Sequence, residues 1–255
     1  MREMLKNILN VLVDSYAHLQ RFSFPPKYSW RWKLDMLLGK YEPETTRLIK
    51  QIVKRGDIVI DIGAHIGYFT RLASRQVGSS GRVYAFEPDT ENRTLLMQNT
   101  KRYRNVLVHA AAITEKEGRA PFYHVEGSTG CHSTIAQEHA ERLEVPSITL
   151  DAFMQETGTG HADVIKMDIE GGELNALRGM ERTLALKPRL IIEYNPEALV
   201  RAGNAPETLP DSLAAHGFKL HAITRSGPIP LAAPFSLTLE SYLEKGSVNV
   251  YCMPI

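Results

Sequence analysis

The chain has 255 residues, of which 43% are hydrophobic and 23% charged, and this composition is typical of a globular protein with a full apolar core. Its 30 Lys and Arg residues balance 29 Asp and Glu residues, and the resulting formal charge of +1 argues against a nucleic-acid partner. The two cysteines, Cys131 and Cys252, form no CxxC pattern, so we expect neither a disulfide framework nor a structural zinc site, and a reducing, cytoplasmic location fits.

The first twenty residues form one predicted amphipathic helix. Its apolar residues recur at three- and four-residue spacing, and we expect this stripe to pack on the rest of the chain or on a second subunit of a homodimer. Peripheral contact with a membrane surface is the alternative, because basic residues flank the stripe and two tryptophans follow it. No segment is expected to span a bilayer. The stripe consists of Leu5, Ile8, Leu9, Leu12, Tyr16 and Leu19, the basic residues are Arg2, Lys6 and Arg21, and the tryptophans are Trp30 and Trp32.

A proline pair marks the predicted end of this extension. Pro25 and Pro26 lie in the segment FPPKYSWRWK and cannot continue a helix. We therefore divide the chain into an N-terminal helical extension, residues 1–38, and a main domain, residues 39–255. A helix over about residues 43–54 is predicted to open the main domain.

Short apolar strands alternate with helices along the main domain. Continuous apolar strands of this kind belong in a parallel sheet covered on both faces, so the predicted fold is a doubly wound α/β sheet. The predicted strands are 58–62, 83–87, 106–110, 164–168 and 190–194, and the predicted helices are 68–76, 90–101 and 173–186.

Two later regions depart from this alternation. Residues 114–146 form a polar insertion with short predicted strands at 120–125 and 143–148, and loops over the carboxyl edge of a sheet usually contact substrate. Near the C-terminal end, predicted strands at 218–224 and 248–253 have no helix between them. These two strands should therefore pair antiparallel at one edge of the sheet.

The segment DIVIDIGAHIGYFT predicts a strand, a turn and a helix that together bind a nucleotide cofactor. Gly63 allows a tight turn and close approach of a ligand to the backbone, and Gly67 lets the helix pack near the strand. His65 lies inside the turn and is expected to shape it rather than to do chemistry. Glu87 ends the next predicted strand, 26 residues after Asp61, where an acid accepts hydrogen bonds from ribose hydroxyls in doubly wound folds.

The same turn distinguishes between two cofactors. A dinucleotide fingerprint reads GxGxxG, whereas this turn reads DxGxxxG, with one glycine where a pyrophosphate needs two. A carboxylate just before the turn suits the ammonium group of an amino acid, so the pattern favours S-adenosylmethionine over NAD. Ala111 and Ala112, after the third predicted strand, are expected beside the adenine ring.

Three carboxylates follow the fourth predicted strand in VIKMDIEGGELNALRGM. Asp168, Glu170 and Glu173 lie at the carboxyl edge of the sheet, where ligands bind in open α/β folds, and Glu193 ends the fifth strand at the same edge. Methyl transfer to a hydroxyl needs alignment and a proton acceptor, and either Asp168 or Glu170 is expected to be that base. Glu173 is equally well explained as an acid that is favoured at a helix N-terminus.

The insertion contains three histidines and a cysteine. His124, Cys131, His132 and His139 match no familiar spacing of metal ligands, so no metal site is predicted. His132 is expected to contact substrate or to act as a base.

Taken together, these motifs resemble the FkbM family of methyltransferases over about residues 39–195. The resemblance rests on GKYEPET, DIVIDIGAHIGYFT, VYAFEPD, SITLDAF and, most specifically, VIKMDIEGGELNALRG. It implies a class I methyltransferase fold, which is a seven-stranded, mostly parallel sheet with an antiparallel last strand. It also implies S-adenosylmethionine-dependent O-methylation of a hydroxyl on a saccharide, a glycolipid or other lipid-linked acceptor, or a polyketide-like molecule.

By position, the resemblance also implies that Asp168 and Glu170 face the methyl group and the acceptor. The complete set of predicted cofactor-binding residues is Tyr41, Glu42, Asp61, Gly63, Ala64, His65, Gly67, Tyr68, Phe69, Glu87, Pro88, Ala111, Ala112 and Asp168.

Two other functions stay open at this point. An NAD-dependent oxidoreductase is disfavoured by the glycine spacing. A non-catalytic cofactor-binding module would explain the N-terminal helix but would leave the carboxylate cluster without a purpose.

Overall fold

Two sheets and eleven α-helices make up the part of the chain that the computed structural model describes, which is residues 2–26, 28–124, 133–136 and 140–255. The strands are β1 (Ile58–Ile62), β2 (Arg82–Phe86), β3 (Val106–His109), β4 (Ala112–Ile113), β5 (Gly118–His124), β6 (Glu141–Ile148), β7 (Val164–Met167), β8 (Arg189–Tyr194), β9 (Phe218–Thr224), β10 (Gly227–Pro230) and β11 (Val248–Pro254). The helices are α1 (Arg2–Gln20), α2 (Trp30–Leu37), α3 (Pro43–Ile52), α4 (Tyr68–Val77), α5 (Thr90–Thr100), α6 (Leu150–Glu156), α7 (Glu173–Arg178), α8 (Glu181–Ala185), α9 (Pro196–Arg201), α10 (Thr208–Ala215) and α11 (Phe235–Glu240).

The larger sheet confirms the predicted doubly wound α/β fold. Its strand order is β10-β9-β11-β8-β7-β1-β2-β3, in which β3, β2, β1, β7 and β8 are parallel and β11 runs antiparallel to both of its neighbours. The expected pairing of 218–224 with 248–253 is confirmed, since β9 and β11 pair antiparallel.

The described sheet has eight strands rather than seven. The additional strand, β10, pairs antiparallel with β9 and occupies the edge that was expected for β9 and β11. It contains Pro228 and Pro230. Proline is tolerated on an edge strand because the position of its missing N–H can face solvent instead of a neighbouring strand.

The core lies on both faces of this sheet because side chains alternate along each strand. Ile60 and Ile62 of β1 face the layer that contains α6, α7, α8 and α10, whereas Val59 faces α3 and α4. All three are buried. The strands are therefore apolar on both sides, as the continuous runs in the sequence predicted.

The helix predicted over 173–186 is wrong as one element, because the chain forms α7 and α8 with a break at Gly179 and Met180. A Cβ atom added at Gly179 would overlap the carbonyl oxygen of Thr114, so the backbone passes too close to the start of the insertion for an ordinary side chain. Tertiary packing thus ends α7 early.

The insertion builds a second, three-stranded sheet. Its order is β4-β6-β5, in which β5 and β6 form a long antiparallel pair from Gly118 opposite Ser147 to His124 opposite Glu141. The two predicted strands of the insertion are thereby confirmed. Cys131, His132 and His139 lie outside the described residues.

The N-terminal extension is tied to the main domain by polar contacts with α4 and α5. Arg71 donates hydrogen bonds to the carbonyl oxygens of Arg21 and Gln20, both at 3.2 Å, and its guanidinium lies 4.7 Å from the ring centre of Phe22. Asn99 donates to the carbonyl oxygen of Ser23 at 2.9 Å and accepts from the backbone amide of Ser23 at 2.6 Å.

The predicted apolar stripe of α1 is only partly buried. Leu9 and Tyr16 are half-buried and the other four residues of the stripe are exposed, whereas Val13 and Ala17, which were not part of the predicted stripe, are buried. A second subunit or a membrane surface as the cover of this outer face stays a prediction. Among the described residues, no helix is both long and apolar enough to cross a bilayer. The exposed apolar residues of α1 are Leu5, Ile8, Val11, Leu12 and Leu19.

Candidate active site

A cavity of about 450 Å³ opens at the carboxyl edge of the sheet, above the ends of β1, β2, β7 and β8. Parallel strands bring the residues that follow them to one edge, and this edge is where ligands bind in open α/β folds. The predicted site residues on its wall are Tyr41, Glu42, Gly63, His65, Glu87, Pro88, Ala111, Ala112, Asp168 and Glu170.

The turn after β1 is held by the neighbouring strands. The backbone amides of Gly63 and Ala64 donate to the carbonyl oxygen of Phe86, at 3.1 and 3.0 Å. Gly63 has φ +79°, and a Cβ atom there would overlap the carbonyl oxygen of Asp168. The packing of β1 against the end of β7 therefore requires glycine at this position, in addition to any approach of a ligand.

Gly67 serves a different contact from the expected one. It has φ +90° and forms the N-cap of α4, and a Cβ atom there would lie 2.7 Å from the Cδ1 atom of Leu96. The glycine thus also lets the start of α4 lie close to α5.

Glu87 lies on the cavity wall, as predicted, and is 5% exposed. Its Oε2 atom accepts the backbone amide of His65 at 2.8 Å, and its Oε1 atom accepts that of Asp89 at 2.9 Å. Burial raises the pKa of Glu87 to about 8, although these two hydrogen bonds oppose the shift. This carboxyl group therefore joins the β1 turn to the end of β2.

Asp61 lies behind the cavity wall rather than on it. It is 2% exposed, and its Oδ2 atom accepts a hydrogen bond from the Thr70 hydroxyl at 2.6 Å. Its Oδ1 atom is buried and has no hydrogen-bond partner among the residues that the structure describes. Burial raises the pKa of Asp61, and the nearby charge of Lys166 opposes that shift.

Lys166 is a buried cation beneath the site. Its ammonium group donates to Asp168 at 3.2 Å and lies 4.9 Å from the ring centre of Phe69. Burial alone would lower the pKa of Lys166, but attraction to Asp168, Asp61 and Glu42 outweighs it and holds the pKa above its usual value. Lys166 thus forms an ion pair with Asp168 on the cavity wall.

Glu173 ties down the segment between β7 and α7. Its two carboxylate oxygens accept the backbone amides of Ile169 and Gly171, at 3.1 and 2.9 Å, and it is 2% exposed. Burial raises its pKa to about 7. Through these two contacts Glu173 shapes the turn between β7 and α7. This role was not expected from its position at a helix N-terminus.

Glu170 is presented to the cavity by this turn. Its backbone has φ +55°, and the Ser133 hydroxyl lies 2.9 Å from its carbonyl oxygen, to which it can donate. Burial, followed by repulsion from Asp168 and Glu173, raises the pKa of Glu170 to about 7. The side chain can therefore change its protonation state near neutral pH.

The N-terminal extension supplies part of the cavity wall that the sequence did not predict. Tyr28 and Trp32 lie beside Tyr41, with ring centres 5.8 Å apart for Tyr28 and Trp32 and 6.1 Å apart for Trp32 and Tyr41. The Tyr28 hydroxyl lies 3.1 Å from the Nε2 atom of His65. The aromatic content of YSWRWK was the signal that could have pointed to this wall.

Five predicted cofactor-binding residues do not line the cavity, and one predicted catalytic residue is not described. Tyr68 bonds with the Thr46 hydroxyl at 3.1 Å, and Phe69 packs in the core below Lys166. These contacts support the wall from behind, and a role of Tyr68 and Phe69 in cofactor binding stays a prediction. The five are Asp61, Ala64, Gly67, Tyr68 and Phe69, and the residue outside the described part is His132.

A comparison with known families identifies this arrangement. The model of the methyltransferase FkbM domain matches residues 61–220, which is more than half of the chain. The chain belongs to the FkbM methyltransferase family. It has the class I methyltransferase fold and uses S-adenosylmethionine as its cofactor, as the resemblance implied.

Two characterised relatives of this FkbM methyltransferase have low sequence identity to it. The hexuronic acid methyltransferase AglP of Haloferax volcanii is 24% identical over 166 residues, which cover 64% of this chain and 66% of that protein. The 2-O-methyltransferase NoeI of Sinorhizobium fredii is 22% identical over 169 residues, which cover 60% of this chain and 69% of that protein. The matches thus span about two thirds of each relative.

Solved methyltransferase structures also align with the chain. An O-methyltransferase from Thermotoga maritima aligns with 84% of this chain and 65% of its own, at 14% identity and a TM-score of 0.48. Fibrillarin from Aeropyrum pernix, with bound S-adenosyl-L-methionine, aligns with 82% and 73%, at 12% identity and a TM-score of 0.47.

Proposed function

We propose that this protein transfers the methyl group of S-adenosylmethionine to a hydroxyl group of a saccharide or of another small-molecule or lipid-linked acceptor. The observation that carries the proposal is the shared cavity, in which the turn at Gly63 and the Glu87 carboxyl group lie beside Asp168 and Glu170. One end of the cavity has the features of a nucleoside site, and the other has candidate bases.

The residues present fit the cofactor. A volume of about 450 Å³ is within the usual range for small-molecule sites. Glu87 presents a buried carboxyl group that would accept hydrogen bonds from the ribose hydroxyls, and Ala111 and Ala112 give a small apolar surface for adenine. When bound, S-adenosylmethionine supplies an electrophilic methyl group on a sulfonium.

Asp168 and Glu170 are the two candidate bases. Asp168 accepts a hydrogen bond from the Lys166 ammonium group, and this contact fixes a carboxylate that can orient an acceptor or take its proton. Glu170 has a pKa of about 7 and is partly ionised at neutral pH, which suits a base that accepts the hydroxyl proton at a carboxylate oxygen. In either case the chain aligns the acceptor and removes one proton.

The saccharide class is favoured by two observations. AglP is named for methylation of a hexuronic acid, and NoeI is named for methylation at a 2-O position. The aromatic wall of Tyr28, Trp32 and Tyr41 also offers flat apolar surfaces of the kind on which the C–H face of a sugar ring stacks. A cytoplasmic location is part of the same proposal, since the cofactor is made and used there.

The test is transfer of a labelled methyl group from S-adenosylmethionine to a panel of hexuronic acids and neutral sugars, with product analysis by mass spectrometry. With an accepted substrate, Asp168→Asn and Glu170→Gln are compared with Glu156→Gln, an exposed acid at the end of α6. Removal of the base should lower kcat by about 10²- to 10⁴-fold, and the control should be unchanged.

Two outcomes would contradict this proposal. Wild-type turnover in both Asp168→Asn and Glu170→Gln would exclude them as the base. Methylation of an amine or carbon acceptor with no transfer to any hydroxyl would exclude O-methylation.

A further inference from the structure

Three carboxylates converge on the acceptor side of the cavity. Asp168 and Glu170 follow β7, and Glu193 belongs to the adjacent strand β8. One oxygen atom from each lies within 4.8 Å of the others, and all three residues line the cavity. Glu193 was expected at this edge of the sheet, without a functional role.

The Oε2 atom of Glu193 needs a partner that the described residues do not supply. It is shielded from solvent and has no hydrogen-bond acceptor or donor opposite it in the described part of the chain. The residue as a whole is partly exposed, but this oxygen is not, and the neighbouring carboxylates of Asp168 and Glu170 repel its charge. A buried oxygen without a hydrogen-bond partner destabilises the folded protein.

The positive charges nearby do not balance this cluster. Lys166 is committed to Asp168 at 3.2 Å and also compensates Asp61 and Glu42. Arg201 also attracts the Glu170 carboxylate, but this attraction is weaker than the repulsion from Asp168 and Glu173. Among the described residues, Lys166 is thus the only cation that forms an ion pair with any of the three carboxylates.

We infer that Asp168, Glu170 and Glu193 bind one divalent cation of the Mg²⁺ or Mn²⁺ type. Carboxylate oxygens are the ligands that these hard cations prefer, and such cations commonly retain waters beside one to three carboxylates. The open cavity side leaves room for water or for hydroxyl oxygens of an acceptor. This proposal replaces the expectation of no metal site, which considered only the histidines and cysteine of the insertion.

A bound cation would connect the three carboxylates with deprotonation of the acceptor. A hydroxyl oxygen bound to a divalent cation has a lower pKa than a free one, so its proton is lost more readily to a nearby base. Binding of the cation itself depends only on the three side chains, and it can be measured without methyl transfer.

The experiment is titration of the purified full chain with Mn²⁺ at pH 7.5, in the absence of cofactor and acceptor, with free Mn²⁺ measured by electron paramagnetic resonance. We expect one saturable site per chain that Mg²⁺ displaces. Glu193→Gln and Glu170→Gln should each weaken binding at least tenfold, whereas Glu156→Gln should bind as the wild type does.

Two variants guard against loss of folding, and circular dichroism is recorded for each. If Glu193→Gln fails to fold, Glu170→Gln, whose side chain is only partly buried, still tests the site. Absence of saturable Mn²⁺ binding by the wild type, or equal affinity in the folded variants and the control, would overturn the inference. In that event the carboxylates share protons instead, and the proposed methyl transfer is unaffected.

Discussion

Single residues at the strand ends fix the geometry of the cavity. Gly63 and the carbonyl oxygen of Asp168 are so close that no side chain fits between the β1 turn and the end of β7. The DxGxxxG pattern predicted the turn from the sequence. It did not predict which neighbour requires glycine, because that neighbour lies 105 residues further along the chain.

Replacement of Gly63 with alanine should therefore destabilise the protein by more than its backbone conformation alone explains. Positive φ costs an alanine about 1–2 kcal/mol, and overlap with a backbone atom adds to it. Gly158→Ala is the matched control, since Gly158 has φ +65° but no atom within 4 Å of an added Cβ. Urea unfolding of both variants should show the larger loss for Gly63→Ala. Equal losses would mean that the strand ends move apart without cost.

At the scale of elements, nine of the eleven described strands were predicted to within two residues, whereas β4 and β10 were missed. β1 coincides with its prediction because its apolar run is bounded by turn residues on both sides. The helix α2 was missed because its apolar residues contact the cavity rim and the first helix rather than one continuous core. The cavity residues that follow strands were found, whereas Tyr28 and Trp32 were missed because tertiary docking alone brings them there.

Docking of the N-terminal extension depends on Arg71. Arg71→Met should retain the apolar contact with Phe22 but lose the two bonds to the carbonyl oxygens of Gln20 and Arg21. We expect amide hydrogen exchange around residues 20–23 to accelerate about tenfold, which corresponds to the loss of one or two ordinary hydrogen bonds. Arg75→Met, one turn along α4 at an exposed position, is the control. Unchanged exchange in Arg71→Met would show that apolar packing alone holds the extension.

At the scale of the whole molecule, the site concentrates acids whose pKa values are raised. Burial raises the pKa of Glu87 to about 8 and those of Glu170 and Glu173 to about 7. An acid with a raised pKa in the folded state ionises first in the unfolded state. Stability is therefore lost as pH rises from the unfolded value toward the folded one.

The cofactor-free protein should accordingly have a lower Tm at pH 8.5 than at pH 6.5. Burial lowers the pKa of His109, so this residue opposes the trend only near the lower end of the range, where the unfolded imidazole is still losing its proton. Scanning calorimetry across the range measures the slope, and Glu87→Gln should reduce it because the amide does not titrate. A Tm that rises with pH would mean that these acids are ionised in the folded protein throughout the range.

The position of β11 has a consequence for biosynthesis. This strand lies between β8 and β9 and is made after both of them, and Asn249 within it donates a hydrogen bond to Glu42 on the cavity wall at 2.9 Å. While the ribosome still holds residues 248–254, the emerging polypeptide has two unpaired strand borders and an unfinished pocket. Until β11 pairs with β8 and β9, we expect the nascent chain to expose strand edges that are prone to aggregation and that chaperones can bind. The pocket is complete only once β11 is in place.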